Sequence, residues 1–285
     1  MTNYSTQPAL LSRINERQVL RTLQADGPLS RAEVARRSGM SAPTASKAVE
    51  ALLRAGYLEE EDAPGNTRGR PAKRLRLAST TAQVLGFVID AGQCRVVAAG
   101  LDGALDEART AEFPTPGSYE ELIETAARHA ARLMDRKGVT TLGLGVSLPG
   151  LVDYRREQGL LSPNVPITNG RSPSRDLGAR LGIDCVMVQE EHALCLAERT
   201  FGEARGLDDF AMLDVSTGVG LGVMSGGRLL AGHSGLAGEV GHVTVELDGR
   251  LCGCGNHGCL ETVACDTALA WAVSQRLGRR VDIEE

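Results

Sequence analysis

Apolar positions recur with a helical period near the start of the chain. Val19, Leu20 and Leu23 fall on one face of a helix over residues 15–25, which Gly27-Pro28 closes. Ser30-Arg31-Ala32-Glu33 has the order of a capping box: the serine accepts from first-turn amides and the glutamate reaches back. A short helix carrying Val34 and Ala35 therefore begins there and stops at Gly39. Ser41 caps a third helix that tolerates Pro43 in its first turn, buries Val49, Leu52 and Leu53, and ends at Gly56. Two short strands follow, around residues 57–60 and 74–77, joined by a loop over 63–72 that contains Arg68-Gly69-Arg70-Pro71. Helix, glycine turn, helix, then a basic hairpin is the pattern of a winged helix-turn-helix.

Beyond residue 83 the pattern changes. Compact apolar runs at 84–89, 95–101, 105–112, 142–147, 186–188 and 210–215 read as strands. Between them, 119–136 places Leu122, Ile123, Ala126, Ala127, Ala130, Leu133 and Met134 on one helical face. Further helices are expected over 193–201 and 266–277. Strands alternating with helices predict an α/β body over 81–285 behind a winged head over 1–80.

Charge separates the same two parts. Residues 1–80 hold 13 Lys+Arg and 8 Asp+Glu, a net of +5; the remainder holds 31 − 13 = 18 basic and 36 − 8 = 28 acidic residues, a net of −10. A basic head on an acidic body points the head at a polyanion. On the third helix, Ser41, Ala42, Thr44, Ala45 and Lys47 would be exposed where base edges are read, while Arg31, Lys47, Arg68 and Arg70 would neutralise phosphates or enter a minor groove. No apolar run reaches membrane-spanning length and the polar N-terminus lacks the order of a signal peptide, so a cytoplasmic protein is expected.

Candidate chemistry gathers late in the chain. Cys252, Cys254 and Cys259 stand within eight positions, spaced by glycines. Clustered cysteines in a chain without a secretion leader bind metal more often than they form disulfides. Three thiolates need a fourth ligand for the closed tetrahedral set that zinc prefers; His242 leads and His257 is its rival. Cys94, Cys185, Cys195 and Cys265 read as packing residues.

Gly238-Glu239-Val240-Gly241-His242, followed by Cys252-Gly253-Cys254 and Gly258-Cys259-Leu260-Glu261, resembles the signature of the ROK family of repressors, open reading frames and sugar kinases. Ser30 to Ser46 together with Gly69-Arg70-Pro71 resembles the DNA-binding head of its repressors. The resemblance implies an actin-like sugar-kinase fold for the body, a structural zinc on His242, Cys252, Cys254 and Cys259, and sugar hydroxyls held by Glu239, His242 and Glu261. Metal on one imidazole nitrogen would aim the other. Leu148 to Asp153 and Ser162-Pro163-Asn164 look like the sugar-facing loops, with Asn164 on a hydroxyl.

Two departures from the family pattern bear on catalysis. Gln93-Cys94 stand where the first phosphate loop carries a threonine, and the Asn-Asp-x-Asn motif becomes Gln189-Glu190-Glu191-His192, which puts Glu190 on the catalytic aspartate. Moving a base by a methylene can cost on the order of a hundredfold in rate, whereas hydroxyl binding survives more easily. Ser216 to Gly222 resembles the second phosphate loop, and a tight hairpin is its alternative. The expected protein is a sugar-responsive transcriptional regulator, a repressor that binds double-stranded operator DNA as a homodimer or higher oligomer and does not phosphorylate sugar. A sugar kinase with an added DNA-binding head is the alternative. Family members continue past the last helix read here, so the second lobe is expected to be incomplete.

Overall fold

The computed structural model describes residues 7–62, 73–233 and 235–281. The head begins with α1 (Gln7–Asp26), longer toward its N-terminus than the apolar period indicated, followed by α2 (Arg31–Ser38) and α3 (Ala42–Arg54). Ser30 Oγ accepts from the Glu33 amide while Glu33 Oε2 accepts from the Ser30 amide at 2.9 Å, so the capping box forms as read. Gly39, at φ 70°, ends α2 in the left-handed conformation, and Ser41 caps α3. Val19, Leu23, Val34, Val49 and Leu52 close the helical core under the antiparallel pair β1 (Leu58–Asp62) and β2 (Lys73–Leu77). Leu29 adds a bridge to Leu75, so β2 is held from both sides.

The body is built on a five-stranded sheet ordered β5-β4-β3-β6-β9. An antiparallel meander of β3 (Ala82–Val88), β4 (Gln93–Ala99) and β5 (Leu105–Pro114) continues through parallel neighbours β6 (Thr140–Leu148) and β9 (Cys185–Gln189). Helices α4 (Tyr119–Met134) and α5 (Pro173–Leu181) supply the crossovers that parallel pairing requires. Their apolar faces and the sheet bury Phe87, Ile89, Val96, Leu122, Ile123 and Leu177 in one core. A small hairpin, β7 (Leu151–Asp153) with β8 (Gln158–Leu161), sits beside the C-terminal end of β6. Helix α6 (Glu190–Phe201) leaves β9 directly, three residues earlier than its apolar pattern suggested. A second sheet, β10 (Phe210–Val215), β11 (Val219–Ser225) and β12 (Arg228–Leu229), packs against α6; the short α7 (Glu261–Ala264) and α8 (Asp266–Leu277) follow. No helix among the described residues is long and apolar enough to cross a membrane.

One carboxylate ties wing to body. Glu59, on β1, accepts from the amides of Ser79, Thr80 and Thr81 at 3.2, 2.8 and 2.9 Å, and from both threonine hydroxyls. Burial alone would raise its pKa, but these hydrogen bonds outweigh burial and hold it down at about 2. Arg76 on β2 pairs with Glu59 and lies 3.6 Å from Glu61 and 4.0 Å from Asp102 of the β4–β5 turn. The backbone continues the connection, with the Leu101 amide donating to Ala78 and the Thr140 amide to Thr81.

Glu59→Gln should destabilise the protein by about 2 kcal/mol at pH 7, since it weakens several hydrogen bonds to a charged acceptor. A group whose pKa is lowered on folding stabilises above its unfolded value and loses that contribution as pH falls toward the folded one. Thermal unfolding of the variant and the unmodified protein should therefore converge between about pH 4.5 and pH 2.

Candidate functional site

Two glycines bring the chemistry together. A Cβ on Gly238, at φ +99°, would lie 1.9 Å from the Leu221 carbonyl, and one on Gly241 would lie 2.1 Å from the Val219 carbonyl. Only glycine lets this segment rest so closely on β11, and the contact carries the single turn Val240–His242 over the hairpin. His242 then faces the loop after residue 250. Its Nδ1, with the sulfurs of Cys252, Cys254 and Cys259, forms a group whose ligand atoms all lie within 4.8 Å of one another. A tetrahedral ion about 2.3 Å from each sulfur and about 2.1 Å from an imidazole nitrogen would set roughly 3.8 Å between sulfurs and roughly 3.6 Å between sulfur and nitrogen. Cys254 and Cys259 sulfurs are 3.8 Å apart, and Cys252 Sγ and His242 Nδ1 are 3.5 Å apart. The donor set and its spacing fit zinc. His257 is exposed and its Nδ1 lies 3.3 Å from the Gly249 carbonyl, outside this set.

The other imidazole nitrogen, Nε2, lies 3.7 Å from Glu239 Oε2. It opens on a cleft lined by Asn164, Glu190, Glu191, Asp214, Glu239 and Glu261, among others. Each element delivers its residue for a local reason. Asn164 is exposed on the loop after β8, where Ser162 Oγ accepts from the Val165 amide and fixes the turn. Glu190 and Glu191 form the first turn of α6. Asp214 is the last residue but one of β10, and Glu261 opens α7 beside the His–Cys set, accepting from Cys252 Sγ at 2.8 Å. Gln189, 2% exposed, does not line the cleft itself but donates from Nε2 to Glu239 Oε1 at 2.8 Å. Asn164, Glu190, Glu239, His242 and Glu261 therefore converge at the wall, and Gln189 stands behind it.

The cleft is strongly acidic. Burial, followed by the charges of Glu191, Asp214 and Asp90, pushes the Glu190 carboxyl up to about 7. Burial also raises Glu191. Sequence reasoning missed Glu191 and Asp214, which meet at the cleft only where α6 and β10 come together. It also missed Tyr154, whose hydroxyl accepts from the Gln189 amide at 3.1 Å and lies 2.5 Å from the buried His192 Nδ1. That pair fixes the start of α6 from beneath.

The stretches likened to phosphate loops are occupied with their own contacts. Gln93 Nε2 donates to Glu112 at 3.2 Å, and Cys94 is fully buried against Thr115. Ser216 to Gly218 is a tight hairpin turn in which the Ser216 amide donates to the Gly218 carbonyl and the Ser216 hydroxyl to Asp214 Oδ2.

In the head, Ser41, Ala42 and Lys47 are exposed along the start of α3, and Thr44 is half-buried with its hydroxyl 2.8 Å from Ser41 Oγ. Ala45 is not exposed as expected: it is 1% accessible because the 3.6-residue period turns it inward with Ala48 and Val49. Arg31 is half-buried and paired with Glu60 of the wing at 3.0 Å. Arg68 and Arg70 lie outside the described residues.

The chain thus combines a winged helix-turn-helix head with an α/β body that carries a histidine–cysteine cluster. Residues 87–285 match the ROK family model, and residues 12–59 match a winged helix-turn-helix DNA-binding model. The chain belongs to the ROK family. It is 29% identical to the DNA-binding transcriptional dual regulator NagC of Escherichia coli K12, over 91% of this chain and 64% of that protein. The chain thus spans about 64% of the length of this relative. Among solved structures, a ROK family transcriptional regulator described as a homologue of E. coli MLC superposes with a TM-score of 0.76 at 25% identity, covering 94% of this chain and 68% of that one. The ROK hexokinase of Thermus thermophilus superposes with a TM-score of 0.58 at 33% identity, covering 70% of this chain and 66% of that one.

The raised Glu190 yields a stability prediction with a defined sign. A carboxyl whose pKa is raised on folding stabilises most below its unfolded value, and that contribution is lost as pH rises to the folded value. Glu190→Gln should stabilise the protein by roughly 1–3 kcal/mol at pH 8 and by little at pH 4.5, as measured by denaturant unfolding at the two pH values.

Proposed function

We propose that this protein is a sugar-responsive transcriptional repressor with two domains: a winged helix-turn-helix over 1–80 that grips operator DNA, and a ROK body over 81–285 that binds the effector without phosphorylating it. One observation carries the reading. Asn164, Glu190, Glu239, His242 and Glu261 converge on a cleft in the same chain as a helix-turn-helix with an exposed recognition surface. Zinc on His242, Cys252, Cys254 and Cys259 is structural in this account. It fixes the imidazole through Nδ1 and leaves Nε2 to meet a hydroxyl together with Glu239. Gln189 holds Glu239 in place, and Asn164 reaches across from the opposite loop.

The head reads the major groove through Ser41, Ala42, Thr44 and Lys47, and Arg31, Arg68 and Arg70 add phosphate or minor-groove contacts. A homodimer supplies paired heads for paired half-sites. Sugar shifts DNA affinity only if it binds one arrangement of head and body better than the other. The Glu59–Arg76 junction is where that difference is expressed. NagC is named a DNA-binding transcriptional regulator, which agrees with this assignment.

The alternative is a sugar kinase, favoured by one feature. A carboxyl near pKa 7 in the cleft suits a general base at neutral pH. The extra methylene of Glu190, the Gln93 side chain turned to Glu112 and the self-bonded Ser216 turn support the regulator instead. Incubation with ATP, magnesium and a sugar panel separates the two, since sustained sugar-dependent ADP release would replace the regulator with the kinase.

Against a duplex selected from a random pool, Thr44→Ala should weaken binding by about tenfold, the cost of one base-reading contact. Arg70→Ala should weaken specific and non-specific duplexes alike and lower the salt slope by about one phosphate. Fluorescence anisotropy across a salt series reads both, and unchanged affinity in both variants rejects these contacts. Metal analysis should find about one zinc per chain, lost together with thermal stability in Cys254→Ser.

A further inference from the structure

The charge in the cleft exceeds what a neutral sugar requires. Glu190, Glu191, Asp214, Glu239 and Glu261 all line it, and no lysine or arginine does so among the described residues. Hydroxyl recognition already has Glu190, Glu239 and Glu261, so Glu191 and Asp214 are surplus to it. Glu191 stands at the unspecified position of the Asn-Asp-x-Asn pattern, and its place is built. A Cβ on Gly220 would lie 2.3 Å from Glu191 Cγ, and one on Gly222 would lie 2.5 Å from the Glu191 carbonyl, so the hairpin is hollowed to seat this residue.

Two further atoms point the same way. Glu191 Oε2 is buried at the cleft without a hydrogen-bond partner, and so is Oε1 of Gln189, which is 2% exposed and whose amide reaches the cleft wall at Glu239. Both are acceptors, and buried acceptors left without donors are costly. The cleft therefore offers neutral donors such as Asn164, Ser216 and Thr217 but no lysine or arginine among the described residues, and these two acceptors stay unmet. A divalent ion answers this poorly, because among the described residues only His242, Cys252, Cys254 and Cys259 bring ligand atoms close enough to share one. A phosphorylated sugar would add negative charge to five carboxylates.

We propose that the effector is an amino sugar with a free primary amine, its ammonium held between Glu191 and Asp214 while Glu239, His242 and Asn164 meet the ring hydroxyls. An ammonium brings a positive charge, with three donors, into a site lined by five carboxylates and by no lysine or arginine among the described residues. Burial first, and then neighbouring carboxylates (Glu191, Asp214 and Asp90 on Glu190; Glu239 and Asp214 on Glu191), raise these two carboxyls, and a bound cation would offset the repulsive part. The inference rests on the reading that this cleft holds the sugar effector.

Calorimetry on the zinc-loaded full chain at pH 7 should compare glucosamine, glucose, N-acetylglucosamine, glucosamine 6-phosphate and magnesium alone, with release of selected duplex DNA followed in parallel. Glucosamine should bind at least about tenfold tighter than glucose or the N-acetylated sugar, and more weakly as salt rises. Glu191→Gln should reduce that preference to within about threefold while glucose binding persists, and Asp214→Asn should act in the same direction. Equal or tighter binding of glucose, the acetylated sugar or the phosphosugar overturns the amine assignment, yet leaves the regulator reading standing if that sugar still releases DNA. Stabilisation by magnesium alone equal to that by glucosamine assigns the carboxylates to a metal and also overturns it. If no sugar binds, both readings fall.

Discussion

The close approach of residues 238–242 to β11 is the constraint on which the site depends. Gly238 and Gly241 allow backbone to rest on backbone, and that contact turns His242 toward three sulfurs that are near one another in sequence but would otherwise lack their fourth partner. The same contact places Glu239 on the cleft side, three residues and one turn away. A histidine with one nitrogen toward a metal set and the other toward a carboxylate has little orientational freedom left.

Against this wall the protein collects like charges. Glu190 and Glu191 start α6, where a helix N-terminus favours negative charge, but Asp214 and Asp90 face them and water is largely excluded. Repulsion and burial win, and Glu190 holds its proton to neutral pH. A binding site need not be stable in itself, provided the rest of the fold is, and the core of Phe87, Leu122, Ile123 and Leu177 supplies that stability elsewhere.

The opposite electrostatic solution appears at the junction. Glu59 is partly buried too, but its pKa is low because three consecutive amides and two hydroxyls point at it. The wing strand, the 79–81 linker and the β4–β5 turn meet in this network through Arg76. Residues 79–81 and β1 are thus joined through one side chain as well as through the backbone.

Much of this was legible in the residue order because its physics is local. The capping box at Ser30, the caps at Gly39 and Ser41, the strand Phe210–Val215 and the helix Asp266–Leu277 depend on spacing and on a few terminal residues. The His–Cys set was legible because its thiols are neighbours in the chain and glycine-spaced. Ala45 was misjudged because proximity to the recognition face outweighed its helical phase. Glu191, Asp214 and the Tyr154–His192 prop were not readable, because their roles arise where α6, β10 and the β7–β8 hairpin meet, and no local pattern encodes that meeting. Local propensity decided which elements form; burial and charge, which depend on what the other elements bring within a few ångströms, decided what the cleft can bind.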